Sequence, residues 1–156
     1  MTSLTFALVV RVEAAHRFEV PVEQGFAYVT DLKNWPKFWP GFVRLDSASG
    51  WGQPGDTARL VTSLLGREVE LTMNVERFEP NKLVSYTSTQ RGLPDAYHER
   101  HFERDDGGFN YRLVVEYEPR PGVRGLYDRS LLRLGIRRAF RRTFADLARE
   151  FDRLRS

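Results

Sequence analysis

The spacing of hydrophobic positions changes twice along the chain and divides it into three parts. In the opening stretch Phe6, Leu8, Val10, Val12, Ala14, His16, Phe18 and Val20 fall on one face, while Arg11, Glu13, Arg17 and Glu19 fall on the other. That alternation predicts one long half-buried strand. Beyond Pro21 the period becomes helical, with Val22, Phe26 and Val29 on one side, and a second short piece follows over Asn34 to Pro40. Pro36 fits a first helical turn and Pro40 ends the piece, so two short helices are predicted.

From Phe42 to Pro119 the period is two, broken by turn chemistry at 49–56, 65–67, 79–82, 91–94 and 105–108. Six strands are predicted there. The clearest alternates inward Val69, Leu71, Met73 and Val75 with outward Glu68, Glu70, Thr72, Asn74 and Glu76, as expected of an antiparallel sheet wetted on one side. Phe109, Tyr111, Leu113, Val115 and Tyr117 repeat the pattern. After Pro119 the period turns helical again: Ile136, Phe140, Phe144, Leu147, Phe151 and Leu154 advance by fours and threes, predicting a long amphipathic helix. Gly135 is expected to interrupt it, with Leu126, Leu131, Leu132 and Leu134 in an earlier helical piece whose stripe is out of register. The fold class is therefore α+β. A seven-stranded curved antiparallel sheet has one apolar face to cover, and only the terminal helix is long enough to cover it, so the sheet should wrap that helix. Side chains alone fill such a wrap poorly, and small apolar ligands often occupy concave spaces of this kind.

Composition narrows the chemistry. The chain has 156 residues, 13% of them aromatic, and no cysteine. It is long enough for one domain, expected to span 1–156, and has no thiolate for metal binding, nucleophilic catalysis or disulfides. Neither a leader-like start nor a membrane-length apolar run is present, so a cytoplasmic protein without a transmembrane segment is expected. The formal charge of +3 hides an asymmetry: residues 120–156 hold 11 Arg against 4 acids, or +7, and the remainder carries −4. An anionic partner would meet the C-terminal end.

Several motifs carry a resemblance. The run from Phe18 to Gly41, the Pro54-Gly-Asp-Thr57 strand opening, Arg77 to Val84, His98-Glu-Arg-His-Phe-Glu103, Asp106-Gly-Gly108 and Val115 to Pro119 together resemble the START-like superfamily. This is the SRPBCC or helix-grip group of polyketide cyclases and dehydratases, lipid-transfer domains, coenzyme-Q-binding proteins and pollen allergens. The resemblance spans nearly the whole chain and implies the helix-grip fold, with two short helices after the first strand. It implies no universal catalytic residues, because that superfamily hosts carriers, cyclases and regulators alike.

The expected ligand pocket draws on Trp35, Phe38, Trp39 and Phe42 of the aromatic cluster, which either plug the barrel end or form a lid. It further draws on Leu71, Met73, Tyr86, Tyr111, Leu113 and Phe140 as inward apolar or aromatic positions. His98 and Arg100 alternate with Phe102 and should face inward with it, whereas a one-residue shift would turn Tyr97, Glu99 and His101 inward instead. A buried Arg100 needs a partner, either a protein carboxylate or an anionic ligand head group. His16 and His98 read most simply as satisfied core histidines.

Catalytic templates fail: no Gly-x-Ser-x-Gly elbow exists, and the glycines at 50, 52 and 55 precede no helix that could cradle phosphate. His98 and His101 lie three apart on a strand and so point to opposite faces, and neither a metal nor another cofactor is expected. Acid/base chemistry by His98, Arg100, Tyr86 or Tyr111 remains open. Arg133, Arg137, Arg138, Arg141 and Arg142 crowd three turns with no acid among them, either as a solvated face or as a surface for anionic lipid or RNA, with Glu68, Glu70 and Glu76 as internal competitors. No DNA partner is expected. The leading reading is a non-enzymatic binder or transporter of a small hydrophobic molecule such as a lipid, polyketide or quinone. Second comes a cyclase or dehydratase using the same pocket, and third an interaction module built on the basic helix.

Overall fold

The computed structural model describes residues 9–155. Strand β1 (Val10–Phe18) is followed by α1 (Val22–Thr30), a 3-10 turn over 32–34 and the single turn α2 (Trp35–Phe38). Six strands come next: β2 (Phe42–Ala48), β3 (Thr57–Leu64), β4 (Arg67–Glu79), β5 (Leu83–Gln90), β6 (Ala96–Asp105) and β7 (Gly108–Tyr117). The chain closes with α3 (Val123–Tyr127), a π-helical turn over 128–132 and α4 (Arg133–Arg155). All seven strands form one sheet in the order β1-β7-β6-β5-β4-β3-β2, with antiparallel neighbours throughout. Bulges in β2 and between Val75 and Arg77 of β4 add bend and twist, which lets the sheet curl around α4. The sheet wraps the terminal helix as the residue pattern implied, and the architecture is the helix-grip fold that the resemblance implied.

The first strand is shorter than its alternation. Phe6 and Leu8 lie outside the described residues, and β1 ends at Phe18, shortly before Pro21 caps the start of α1. His16 is exposed rather than a core histidine, since β1 is an edge strand, although its ring still stacks on Phe144 at 5.5 Å. Glycine at position 25 lets α1 sit directly on the sheet: a Cβ there would stand 2.3 Å from Cε1 of the fully buried Phe109. Phe26 of the same helix meets Phe78 and Phe102 edge-on, at 5.3 and 4.9 Å between centroids.

Helix α4 grips the sheet through its C-terminal half. Phe144 packs against Phe18 and Tyr111, while Phe151 packs edge-on against Phe18, Tyr28 and Phe109. Leu147 between them is completely buried. Gly135 does not interrupt the helix; it lies inside α4 at a close approach, where a Cβ would meet Leu65 Cδ2 of the β3–β4 turn at 3.0 Å. The break in register falls earlier, at the π turn.

There the fully buried Asp128 receives the backbone N–H of Arg120 at 2.8 Å, its Nε at 3.0 Å and its Nη2 at 2.7 Å. Burial pushes the Asp128 carboxyl up, but the Arg120 hydrogen bonds outweigh this and hold it below its ordinary value. Tyr117 Oη donates to the Asp128 carbonyl, and Arg120 Nη1 donates to the Gly92 carbonyl in the β5–β6 turn. One ion pair thus ties the helix start to the sheet.

If the grip lies in the C-terminal half, Phe144→Ala should cost about 3–5 kcal/mol in urea unfolding, in the range of large-to-small core truncations. Ile136→Ala, at a partly exposed position one half-helix earlier, should cost less than half as much. The reverse order would place the anchorage at the other end of α4.

Candidate functional site

Toward its N-terminal half α4 stands away from the sheet and leaves a cavity of about 330 Å³. The sheet supplies Leu71 from β4, Tyr86, Ser88 and Gln90 from β5, His98 and Arg100 from β6, and Val115 and Tyr117 from β7. The helical side supplies Leu132, Gly135, Ile136, Ala139, Phe140 and Thr143, and Phe38, Trp39 and Pro40 close one end. Ser63, Leu65, Arg138 and Arg142 are exposed residues of the lining, so they mark the mouth.

The register of β6 resolves the choice that the sequence left open. His98 pairs across the ladder with Tyr86 and Val115, and Arg100 with Val84 and Leu113, so both side chains point inward. Tyr97, Glu99 and His101 occupy the outer face, where Glu99 accepts from Tyr97 Oη at 2.8 Å and pairs with His101 Nε2 at 3.0 Å.

The polar floor of the cavity is a compact group. Arg100 Nη2 donates to Tyr86 Oη at 2.7 Å, and its Cζ lies 5.6 Å from the Tyr86 ring centroid. That ring also stacks on His98 at 4.4 Å with 7° between planes. His98 Nε2 shares a 2.8 Å hydrogen bond with Ser88 Oγ, and its buried Nδ1 has no partner among the described residues. Tyr111 Oη is also buried without a hydrogen bond; burial pushes this phenol up to about 12, against the opposing pull of Arg100. No carboxylate pairs with Arg100 among the described residues. Burial, reinforced by the Arg100 charge, holds the His98 imidazolium down at about 3, so the ring is neutral near pH 7.

Of the residues singled out from sequence, Phe38, Trp39, Leu71, Tyr86, His98, Arg100 and Phe140 come together around the cavity. Trp35 borders a separate void of about 20 Å³, roughly one water in size, and donates from Nε1 to the Val29 carbonyl at 3.0 Å. Met73, Tyr111 and Leu113 face inward but lie in packed core, and Phe42 begins β2 opposite Thr62, outside the lining.

Sequence reasoning missed Trp51, which sits in a stretch read only as a turn. Asp56 Oδ2 accepts from the backbone of Gly52 at 2.8 Å and of Gln53 at 3.1 Å, folding that loop back. Trp51 then bridges Trp35 and Tyr86 at 5.1 and 5.3 Å. Ser88 was missed too, although it lies two residues from Tyr86 and therefore on the same face.

Arg133, Arg137, Arg138, Arg141 and Arg142 form no ion pair among the described residues, and all five are exposed. Glu68, Glu70 and Glu76 do not compete for them: these lie on the outer face of β4 and make no bridge to α4. Among the described residues no cluster of three metal-ligating side chains occurs, and no helix is long and apolar enough to cross a membrane.

Residues 9–152 match the family model described as polyketide cyclase / dehydrase and lipid transport. The chain is similar in structure to the Zhui aromatase/cyclase from Streptomyces sp. R1128, with a TM-score of 0.80 at 16% identity over 93% of this chain and 94% of that one. It is similar also to the protein TTHA0849 from Thermus thermophilus, with a TM-score of 0.79 at 16% identity over 94% and 100% of the two chains. No curated protein matches significantly in sequence.

The depressed His98 value carries a stability consequence. The unfolded chain takes up the proton near the ordinary histidine value of about 6.5, whereas the folded protein refuses it until about pH 3, so stability falls as pH drops through that window. The slope is at most about 1.4 kcal/mol per pH unit for one proton. Chemical denaturation between about pH 6 and 4.5 should show this slope in the native chain and lose it in His98→Gln; an identical slope in both would mean that His98 titrates normally.

Proposed function

Starting from the fact that the chain belongs to the polyketide cyclase/dehydrase and lipid transport family, we propose that its cavity binds a small, mostly apolar molecule bearing an acidic or strongly polarised oxygen. The observation that carries this reading is Arg100, an inward guanidinium with two phenols around it and no carboxylate partner among the described residues. Desolvating a charge is expensive unless it is paired, and a ligand carboxylate, enolate or phenolate would complete the pairing. The remaining walls, Leu71, Val115, Leu132, Ile136 and Phe140, suit a hydrocarbon or aromatic body. About 330 Å³ lies at the lower end of small-molecule sites. Polyketide and quinone-like molecules have this combination of apolar rings and ionisable oxygens.

One observation also favours the second reading, a cyclase or dehydratase acting in the same pocket. His98, Tyr86 and Arg100, which all line the cavity, form the kind of polar cluster that could polarise a carbonyl or enol. Magnitude nevertheless ranks binding first. A general base is most effective with a pKa near the working pH, and an imidazolium near 3 leaves His98 a poor proton acceptor. Its free nitrogen serves better as a hydrogen-bonding group than as a base.

Two fluorescent probes separate the charge from the apolar contribution. 8-Anilinonaphthalene-1-sulfonate carries an anion on an aromatic body, and N-phenyl-1-naphthylamine is its neutral counterpart. Arg100→Leu should weaken the sulfonate about 10- to 100-fold, the loss of one charge-assisted hydrogen bond, and leave the neutral probe within about two-fold. Near-UV circular dichroism checks that packing persists. Equal affinities for the sulfonate in both proteins would reduce Arg100 to a structural role. Native mass spectrometry of the purified chain, followed by solvent extraction, would identify a retained ligand.

A further inference from the structure

The mouth of the cavity and the unpaired arginines occupy the same surface. Leu134, Arg138, Arg141 and Arg142 follow one another within two turns of α4, at spacings that keep them on one broad stripe, and Leu131 precedes them by a turn. Arg138 and Arg142 also line the cavity. Across the mouth, Leu65 reaches over from the β3–β4 turn to Gly135. Leu131, Leu134 and Leu65 are 54%, 45% and 43% exposed, so three leucines stand in solvent around one glycine with cations beside them. Large exposed apolar side chains grouped in this way usually mark a contact surface.

We propose that this face docks on an anionic phospholipid surface, with Leu65, Leu131 and Leu134 entering the headgroup layer and Arg138, Arg141 and Arg142 pairing with phosphates. Charge complementarity supports a negative partner, since no acid among the described residues pairs with these arginines and residues 120–156 sum to +7. The leucines select a membrane over RNA: a nucleic acid would call for stacking aromatics among the arginines, and the stripe holds none. An amphipathic helix presenting arginine and leucine together is the composition of an interfacial contact. Docked in this way, the mouth opens onto the bilayer, and an apolar ligand passes between cavity and membrane without crossing water. That consequence rests on the ligand reading above; the docking itself does not.

Co-sedimentation with vesicles of phosphatidylcholine and phosphatidylglycerol, against phosphatidylcholine alone, tests the surface. Binding should require the anionic lipid and weaken as salt rises from about 50 to 300 mM. Replacing Arg138, Arg141 and Arg142 together by Ala should weaken it on the order of a hundred-fold, at about five-fold per arginine. Leu131→Gln with Leu134→Gln should weaken it about ten-fold while the neutral naphthylamine still binds, because neither leucine lines the cavity. Arg100→Leu should leave vesicle binding intact, so an unchanged sulfonate affinity in that variant would sink the ligand reading and not this one. Equal binding to neutral vesicles, indifference to the leucine substitutions, or tighter binding to an RNA homopolymer than to anionic vesicles would overturn the proposal.

Discussion

Everything about the site follows from where α4 touches the sheet. A curled sheet and a straight helix can lie close along only part of their length, and here the close part is the C-terminal half, where Phe144, Leu147 and Phe151 lock onto Phe18, Phe109 and Tyr111. Toward its N-terminus the helix diverges and the gap becomes the cavity. Collapse into that gap is opposed by a polar strut rather than by packing. Asp128 holds Arg120 just beyond the end of β7, and Arg120 reaches on to Gly92, whose neighbours Leu93 and Pro94 line the cavity. A buried pair of this kind gains little net stability over an apolar contact, but losing one partner is costly, so it fixes position more than it adds energy.

The second constraint is the charge placed in the space so preserved. Among the described residues no carboxylate meets Arg100, and the fold instead surrounds it with polarisable and dipolar groups, the Tyr86 face and hydroxyl and the nearby Tyr111. These partners lower the cost of desolvation and leave the formal charge uncompensated. His98 adapts to the same neighbour by staying neutral, which makes the floor a set of hydrogen-bonding groups around one fixed positive charge.

How far this was legible in the sequence depends on what alternation encodes. Period two told which face each residue occupies: Leu71, Tyr86, His98 and Arg100 point inward as expected, and so do Met73, Tyr111 and Leu113. Alternation carries no information about how far along the strand the helix stands off. Met73, Tyr111 and Leu113 therefore share the correct face yet lie in solid core, while Ser88 and Val115 reach the open part. Trp51 was hidden because its neighbours Gly50, Gly52, Pro54 and Gly55 read as a turn, and only the Asp56 hydrogen bonds fold that turn inward. Gly135 misled for a related reason. Its low helix propensity suggested a break, whereas the packing of Leu65 on α4 demands a residue without a side chain and the helix continues through it.

The π turn at 128–132 links the strut to the outer surface. A π turn holds one residue more than an α turn and rotates everything beyond it by about 100° relative to an uninterrupted helix. Leu132 is thereby turned into the cavity and the stripe beginning at Ile136 is aligned with the sheet, while Leu131 and Leu134 are turned outward. Had burial alone governed this segment, a polar residue at 131 or 134 would have served the fold equally well, since neither side chain contributes to the core. Leucines at both positions, next to arginines that no acid among the described residues pairs with, make the segment amphipathic in two directions at once. One apolar side faces a cavity inside the protein, and the other faces outward beside the opening of that cavity. This shared helix is what sets outward leucines and arginines beside the mouth of the cavity.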